Sequence, residues 1–201
     1  MSLEFDDGLA YRDGAQLATV VWVQYTGDDP DLSDSYLLMN RNKELGQGQW
    51  AGLGGKIEDQ DFDSSDEKLY TNDDIKEAAE ENAIREAYEE AKIGVQNTEH
   101  IGKVKRYTRP GSDQEKSWEI HHFIAETNDL PDSYEHREGE LDWYKPDEMD
   151  ELNFGMAHDE FIDNVRDRTP FTAWIDDLEG PYGVASDEEG YMIQKSDERV
   201  L

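Results

Sequence analysis

A repeat of small residues in the middle of the chain limits its possible folds more than anything else in the sequence. Alanine recurs at every fourth position between residues 79 and 91, inside an Ala- and Glu-rich segment at residues 75–92. This spacing places the alanines on one stripe of an α-helix. The segment therefore predicts a helix over residues 75–92, with Asp73 or Asp74 as its N-terminal cap.

Short apolar runs on both sides of this helix predict strands. The first run, AQLATVVWVQY, is apolar and β-branched, as expected of a buried strand. The predicted strands are residues 15–25, 35–40, 101–107, 117–126 and 140–144, and the other predicted helices are residues 146–152 and 156–168. From Gly180 onward we expect an irregular tail. This order favours a mixed α/β domain around a single sheet.

The charge of the chain argues against some classes of partner. With 50 acidic and 19 basic residues among 201, the formal net charge is −31. Nucleic-acid polymers and anionic membrane surfaces bind basic faces, so neither is expected as a partner. A small phosphorylated substrate stays compatible with this charge, because a bound divalent metal can reverse the local field.

The composition also indicates a compartment. The chain has no cysteine, which removes disulfides, thiolate metal sites and a Cys nucleophile. No apolar run approaches the roughly 18–20 residues of a membrane span, and residues 1–8 lack the features of a signal peptide. We therefore expect a cytoplasmic protein. The Asp-rich, Lys-poor composition suggests a high-salt cytoplasm, with an acidic mesophilic protein as the alternative.

Three glutamates crowd one face of the predicted helix. At about 100° per residue, Glu86, Glu89 and Glu90 fall within an arc of about 100°. Like charges one turn apart repel each other, and a hard divalent cation, Mg²⁺ or Mn²⁺, would relieve this repulsion. Arg85 lies beside the cluster and is placed to orient one carboxylate. The alternative is a solvated acidic helix face.

The spacing of these charges resembles a known signature. Glu77 precedes Arg85 by eight positions, which gives E-x7-R-E-x-x-E-E, and a Gly-Gly-Lys loop lies upstream. This is similar to the Nudix hydrolase signature, G-x5-E-x7-R-E-U-x-E-E-x-G-U, with U an aliphatic residue. The resemblance covers about residues 15–168 and is strongest over residues 47–95. It implies a Nudix-type α/β/α sandwich around a mixed β-sheet.

The resemblance also implies a division of the chain. Residues 1–170 would form the Nudix domain, and residues 171–201 a C-terminal extension. An acidic insertion at about residues 59–74 stretches the loop between the Gly-Gly pair and Glu77. We expect this insertion to be a solvated loop, with a substrate lid or a dimer contact as the alternative.

Two further positions depart from the signature. Its late glycine falls on Lys92, so the helix would run longer and use Gly94 as its left-handed terminator. The aliphatic position between Glu86 and Glu89 holds Ala87. Neither departure removes a carboxylate.

The resemblance implies a metal site. Carried over position by position, Glu86, Glu89 and Glu90 would hold Mg²⁺, with Mn²⁺ as a second option. The carbonyl of Gly54 or Gly55 would complete the coordination shell.

The resemblance also implies catalytic roles. Glu138 matches a late glutamate that binds metal or acts as the base in some family members, so the general base is either Glu89 or Glu138. Arg85 would position a glutamate rather than touch the substrate. Glu77 would support the helix start or an outer metal.

Three residues are candidates for substrate binding. Lys56 is either a contact for phosphate or carboxylate or an ordinary surface lysine. Trp50 is either a core aromatic or a stacking partner for a base. Asp159 lies near the start of the late predicted helix. There the resemblance to MutT-like enzymes implies a base-recognising acid, and the alternative is capping of the helix.

The leading functional hypothesis is a Mg²⁺-dependent nucleoside triphosphate pyrophosphatase of MutT type. An oxidised purine nucleotide such as 8-oxo-dGTP would give the monophosphate and pyrophosphate. Ala51, where some family members have a base-reading Asn, leaves the base specificity open. The alternatives are an ADP-ribose or nucleotide-sugar pyrophosphatase and a non-catalytic nucleotide-binding domain. Many relatives are dimers, so a homodimer is also an expectation.

Overall fold

The computed structural model describes residues 3–6, 9–12, 15–42, 47–62, 71–107, 117–154, 161–176, 182–187 and 190–195. Its strands are β1 (Leu3–Asp6), β2 (Leu9–Arg12), β3 (Ala15–Tyr25), β4 (Tyr36–Arg41), β5 (Trp50–Ala51), β6 (Gln96–Tyr107), β7 (Ser117–Thr127), β8 (Glu135–His136), β9 (Gly139–Tyr144), β10 (Phe171–Asp176), β11 (Tyr182–Asp187) and β12 (Gly190–Lys195). Its helices are α1 (Asn72–Ala91) and α2 (Ile162–Arg166), with 3₁₀ turns at Asp59–Asp61 and Met149–Glu151.

A mixed sheet organises the described residues. Its main strands lie in the order β10-β6-β7-β3-β4-β9-β8, with β2 also beside β3, β1 beside β2, and β5 beside β4. β3 runs parallel to β7, and β10 runs parallel to β6. The remaining neighbours in this sheet pair antiparallel.

Strand β3 lies in the middle of this sheet and is buried at nearly every position. Leu17 and Val21 pack in the cluster that includes α1, whereas Val20 and Trp22 pack in the cluster that includes α2. Both faces are covered, which explains why its sequence is mostly apolar and does not alternate between apolar and polar residues. The predicted α/β/α sandwich around a mixed sheet is confirmed.

Helix α1 begins three residues earlier than predicted. Thr71, not Asp73 or Asp74, is its N-cap, and Thr71 and Asp74 form a reciprocal capping box. The small alanine stripe lets the helix lie close to the sheet, where Thr19 Oγ1 donates to the Ala79 carbonyl at 3.2 Å.

The expected terminator of α1 is also different. Lys92 is the C-cap in the left-handed conformation, with a φ of 60°, so the predicted use of Gly94 is wrong. Lys92 occupies the conformation that the signature gives to a glycine.

The start of the acidic insertion is not a solvated loop. Asp61 and Phe62 are each 7% exposed, and Phe62 belongs to the apolar cluster under α1. The expectation of an exposed segment is therefore wrong at these two residues, and residues 72–74 already belong to α1. Residues 63–70 lie outside the described part of the chain.

The C-terminal region contains more regular structure than expected. β10 pairs with β6, and β11 pairs antiparallel with β12. The prediction of an irregular tail from Gly180 is therefore wrong over β11 and β12. The boundary at residue 170 stays a prediction, and the extension is joined to the sheet through β10.

The late helix is shorter than predicted in the described residues. α2 covers part of the segment expected over residues 156–168, and residues 155–160 lie outside the described part. The helix predicted over residues 146–152 is a single 3₁₀ turn. Among the described residues, neither helix combines the length and apolarity that crossing a membrane requires.

Candidate active site

The Gly54-Gly55 turn lies against both the sheet and α1. Gly54 has a φ of +156°, which side chains rarely adopt, and its N–H donates to Glu90 Oε2 at 2.9 Å. The Gly55 carbonyl accepts from the Thr19 N–H at 2.9 Å. A Cβ on Gly54 would collide with the Thr19 carbonyl, and one on Gly55 with the Glu86 carboxylate. Gly54 therefore requires glycine, whereas a side chain at Gly55 would displace the carboxylate of Glu86.

Glu90 is the most deeply buried of the three predicted metal ligands, at 7% exposure. Burial raises the pKa of Glu90 to about 8, against the opposing effects of the Gly54 N–H and the charge of Arg41. The charges of Glu86 and Glu138 raise this pKa further. The site therefore brings several carboxylates together where water is scarce.

Glu86 and Glu89 differ from each other in exposure. The Glu86 side chain is 13% exposed and lies 3.3 Å from Arg85 Nη1, whereas the Glu89 side chain is 53% exposed and lies 3.4 Å from the same nitrogen. Burial raises the pKa of Glu86, although Arg85 lowers it, and Glu89 and Glu138 add to the rise. The three glutamates thus share one face, with Glu89 at its solvent side.

The two shortest hydrogen bonds of Arg85 go to a residue that was not predicted. Asp61 Oδ1 accepts from Arg85 Nε at 3.1 Å, and Asp61 Oδ2 accepts from Nη2 at 3.2 Å. Burial would lower the pKa of Arg85, but the hydrogen bond and charge of Asp61, with the charges of Glu86 and Glu89, raise it. The guanidinium is therefore a fixed cation beside the glutamates, as expected of a positioning group.

Asp61 was missed because it lies inside the stretch taken for a solvated insertion. A signal was present: five residues separate Gly55 from Asp61, as in the G-x5-E half of the signature. Glu77 matches only the E-x7-R half of the signature, because it lies eight positions before Arg85. Glu77 is exposed near the start of α1, so its supporting role stays a prediction.

Glu138 reaches the site from the turn between β8 and β9. Its carbonyl accepts from the Asn42 N–H at 2.9 Å, which ties this turn to the end of β4. The charge of Glu138 acts on both Glu86 and Glu90. The structure thus brings this predicted residue together with the helix glutamates.

Arg41 is a second residue that the sequence did not reveal. It is the last residue of β4, opposite Gly139 of β9, and its charge acts on Glu90. In the part of the chain that the structure describes, Arg41 Nε is buried without a hydrogen-bond partner. No local motif marks this arginine, because strand pairing alone brings it to the glutamates.

The predicted substrate-binding residues lie at different places. Trp50 is half-buried, and its ring packs edge-on against Tyr144 with centroids 4.8 Å apart. Lys56 is exposed two residues after Gly54. Asp159 lies outside the described residues.

The donor set suits a hard divalent cation. Among the described residues, no three His, Asp or Glu side chains form a ready-made metal-binding group. Nevertheless, Glu86, Glu89, Glu90 and Glu138 are close enough to influence one another's charge. A cation with oxygen ligands would relieve this repulsion, so the chemistry of these residues fits such an ion.

A family model describes most of the chain. The NUDIX domain model matches residues 16–165, which includes the glycine turn, α1 and the β8–β9 turn. A search of curated proteins finds no match.

Solved structures show the same fold at low sequence identity. A mutator MutT protein from Bacillus halodurans has a TM-score of 0.57 at 20% identity, covering 90% of this chain and 98% of its own. The NUDIX domain of Shewanella oneidensis NrtR, solved with ADP ribose, has a TM-score of 0.56 at 16% identity, covering 79% and 90%. A NUDIX hydrolase from Nitrosomonas europaea has a TM-score of 0.55 at 16% identity, covering 87% and 93%.

These findings agree with the geometry of the site. Members of this family generally use divalent metal ions, typically Mg²⁺, and the converging glutamates offer the oxygen ligands that such ions prefer. The chain belongs to the Nudix family and is a hydrolase that acts on the pyrophosphate bonds of nucleoside diphosphate derivatives.

Proposed function

We propose that the protein is a Mg²⁺-dependent nucleoside triphosphate pyrophosphohydrolase whose leading substrate is an oxidised purine nucleotide such as 8-oxo-dGTP. The observation that carries the proposal is the convergence of Glu86, Glu90 and Glu138 beside the Gly54 turn, with Arg41 as an adjacent cation. These clustered carboxylates would hold the metal, whose charge would offset that of a bound polyphosphate.

Glu86, Glu89 and Glu90 would hold the metal, with a carbonyl of the Gly54-Gly55 turn beside them. Mg²⁺, or Mn²⁺ in its place, supplies neutralisation of phosphate charge and a lower pKa for bound water. Arg85 orients Glu86 and Glu89 through Nη1. Gly54 fixes one oxygen of Glu90 through its N–H.

The base is the carboxylate that can reach a water molecule. In the reaction a water oxygen forms a bond to phosphorus, the P–O bond to the leaving pyrophosphate breaks, and a glutamate takes the water proton. Glu89, about half exposed, and Glu138, in a turn, are both accessible to such a water. Glu90 is buried and already bonded to Gly54, which favours the other two.

Arg41 is the candidate for a phosphate contact. Its partial burial and its buried Nε, unbonded within the described residues, favour binding of an anion that brings its own acceptors. Lys56 is the candidate for a second contact. We expect Arg41→Lys to raise KM more than it lowers kcat, since a lysine keeps the charge but not the bidentate geometry.

Base recognition is assigned to Trp50 for stacking and to Asp159 for hydrogen bonding. The second candidate function is hydrolysis of ADP-ribose or a nucleotide sugar, supported by the similar NrtR domain that was solved with ADP ribose. A non-catalytic binding domain is less well supported, because Glu86, Glu89 and Glu90 are all present.

The test is a release assay for phosphate and pyrophosphate in Mg²⁺ and high salt. The substrates are dGTP, 8-oxo-dGTP, ATP, ADP-ribose and UDP-glucose. Glu89→Gln removes one predicted ligand, and Glu81→Gln is the matched control because it makes the same change at an exposed position on the same helix.

Preference for 8-oxo-dGTP with release of pyrophosphate, abolished in Glu89→Gln but not in Glu81→Gln, would support the proposal. Turnover of ADP-ribose or UDP-glucose alone would replace it with the second candidate. Mg²⁺ binding without turnover of any of the five would favour the binding domain.

A further inference from the structure

Three cations meet at one carboxylate on the face of the sheet that carries α1. Lys105 of β6 lies directly opposite Glu119 of β7, and its Nζ is 3.1 Å from Glu119 Oε2. Lys103, two residues earlier on β6, has its Nζ 3.7 Å from Oε1. Arg12 approaches the same Oε1 from β2, with its Nη1 at 3.3 Å. Arg12, Lys103 and Lys105, which we call the cation cluster, therefore share Glu119.

The two lysines bring more positive charge to this place than the carboxylate can offset. Within the part of the chain that the structure describes, Glu119 is the one carboxylate at ion-pair distance from either lysine. Burial lowers the pKa of Lys103, Glu119 raises it, and the charges of Lys105 and Arg12 lower it further. The net effect is a lowered pKa, as expected where cations crowd each other.

The position of β6 in the sheet does not account for the second lysine. Lysines often protect the edge of a sheet from pairing with another chain, but β6 pairs with β7 on one side and β10 on the other. Lys105 alone gives Glu119 a cross-strand partner of opposite charge. Lys103 instead faces His121, and burial lowers the pKa of that histidine. The ring is therefore mainly neutral at pH 7 and offers Lys103 no charge.

The lysine head groups are accessible to a ligand from solvent. The side chains of Lys103 and Lys105 are 28% and 23% exposed, above a buried arginine and carboxylate. Each ammonium carries three N–H donors, so donors remain after the contact with Glu119. A phosphate group has several charged oxygens, which can accept from both lysines and offset their charge.

The cation cluster is distinct from the candidate active site. The main charges that act on Lys103 and Glu119 come from the cluster itself and from His121, and the glutamates of the candidate active site are not among them. The cluster lies on β2 and β6, whereas those glutamates lie on α1 and in the β8–β9 turn. An anion bound by the cluster would therefore be a second ligand, separate from a substrate at the glutamates.

We propose that Arg12, Lys103 and Lys105 form a second anion site that binds a phosphate group, either as the free ion or as part of a small phosphorylated molecule. Glu119 holds the cations together when the site is empty and competes with the incoming phosphate. Removing its charge should therefore strengthen phosphate binding, which a purely structural role of the cluster would not produce. The inference is independent of the proposed function.

The test is isothermal titration calorimetry of inorganic phosphate into the metal-free protein, in EDTA at neutral pH and constant ionic strength. We expect saturable binding to the wild type. Lys105→Gln and Lys103→Gln should each weaken binding by about tenfold or more, because each removes a charged hydrogen-bond donor. Lys145→Gln removes the same charge from an exposed lysine after β9 and should stay within about twofold of the wild type.

Three further titrations define the site. Glu119→Gln, if it keeps a cooperative thermal transition, should bind phosphate several-fold more tightly than the wild type. Arg41→Gln should stay within about twofold, because Arg41 is the phosphate contact proposed for the other site. GMP carries the same phosphate group on a larger molecule. Binding of GMP that depends on Lys105 would identify a phosphate ester as the ligand, and binding of inorganic phosphate alone would identify the free ion.

The second site would be overturned if the wild type showed no saturable binding, or if both lysine variants kept its affinity. Weaker binding by a folded Glu119→Gln variant would also overturn it. Loss of binding in Arg41→Gln would place the phosphate at the candidate active site instead. These measurements involve neither a metal nor hydrolysis, so failure of the second site would leave the proposed function standing.

Discussion

Glu90 is held in an environment that opposes its charge. It is buried beneath the glycine turn, and the charges of Glu86 and Glu138 act on it. The Gly54 N–H and the charge of Arg41 lower the pKa of Glu90, but by less than burial and the neighbouring carboxylates raise it. The pKa of Glu90 is therefore about 8. Such a residue makes the metal-free protein sensitive to pH in a direction opposite to that of an ordinary paired carboxylate.

The metal-free protein should lose stability as pH rises from about 5 to 8. The unfolded chain releases this proton near 4.5 and the folded chain near 8, so between these values the folded state binds more protons and deprotonation favours unfolding. We expect a loss on the order of 3 kcal/mol across this window. Urea unfolding in EDTA at several pH values measures it.

Glu90→Gln is the control for this pH dependence. Glutamine can still accept from the Gly54 N–H but does not titrate, so the slope should become shallower and the variant should be more stable than the wild type at pH 8. An unchanged slope would show that Glu90 is not the group responsible.

Lys92 ends α1 in a conformation that suits glycine. Its φ is 60°, while its Nζ bonds the Glu89 carbonyl at 3.2 Å and lies 5.0 Å from the centre of the Tyr88 ring. Lys92→Ala should destabilise the protein, since it keeps the backbone strain and removes these contacts. Lys92→Gly should be about 1 kcal/mol more stable than Lys92→Ala. Thermal melts of both variants measure the difference, and equal stabilities would contradict the strain.

At the scale of elements, β6 and β7 share a buried charge on the face that carries α1. Glu119 of β7 lies 3.1 Å from Lys105 and 3.7 Å from Lys103, and also contacts Arg12 and His121 at 3.3 Å. Burial alone would raise the pKa of Glu119, but the adjacent His121 ring and the lysine charges lower it to about 2. Both lysines are on an internal strand of the sheet, because β10 pairs with the edge of β6 that faces away from β7.

Removing this carboxylate should unpair several cations at once. We expect Glu119→Gln to destabilise the protein by about 3 kcal/mol at pH 7, measured by urea unfolding. Because the folded pKa is depressed, this stabilisation is present above about pH 4.5 and is lost as pH falls towards 2. The difference in unfolding free energy between the wild type and Glu119→Gln should therefore shrink as pH falls from about 4.5 towards 2. Glu140→Gln, at an exposed position of β9, should change stability by less than about 0.5 kcal/mol.

The elements differ in how well the sequence predicts them. The bounds of β3 follow from a mostly apolar, β-branched run, and α1 follows from its alanine stripe to within three residues. The strands after α2 carry no comparable pattern and were missed. Their pairing depends on β6 and on each other rather than on local periodicity.

The residues of the site also differ in how well the sequence predicts them. Glu86, Glu89 and Glu90 follow from helical spacing, and the wider family resemblance adds the glycine turn and Glu138. The contacts of Asp61 and Arg41 depend on distant segments packing together, which spacing along one element does not reveal. The sequence therefore predicts the clustered glutamates and Arg85 better than it predicts Asp61 and Arg41.

At the scale of the whole molecule, a net charge of −31 on 201 residues means that much of the surface repels itself. The distance over which exposed charges act falls from about 10 Å at 0.1 M salt to about 3 Å at 1 M. Much of this repulsion is therefore removed by salt, while the buried pairs of Arg85 and Glu119 are screened much less.

The thermal midpoint should consequently rise between 0.1 and 2 M KCl, by several degrees. Sucrose at matched osmolality separates screening from solvent exclusion, since it should not reproduce the full rise. Neutralising Asp28, Glu81, Asp132 and Asp147, all exposed, should raise the midpoint at 0.1 M KCl and make the salt dependence shallower. If KCl raised the thermal midpoint of the neutralised variant as much as that of the wild type, surface repulsion would not be the cause of the rise. The acidic composition would then need an explanation other than adaptation to salt.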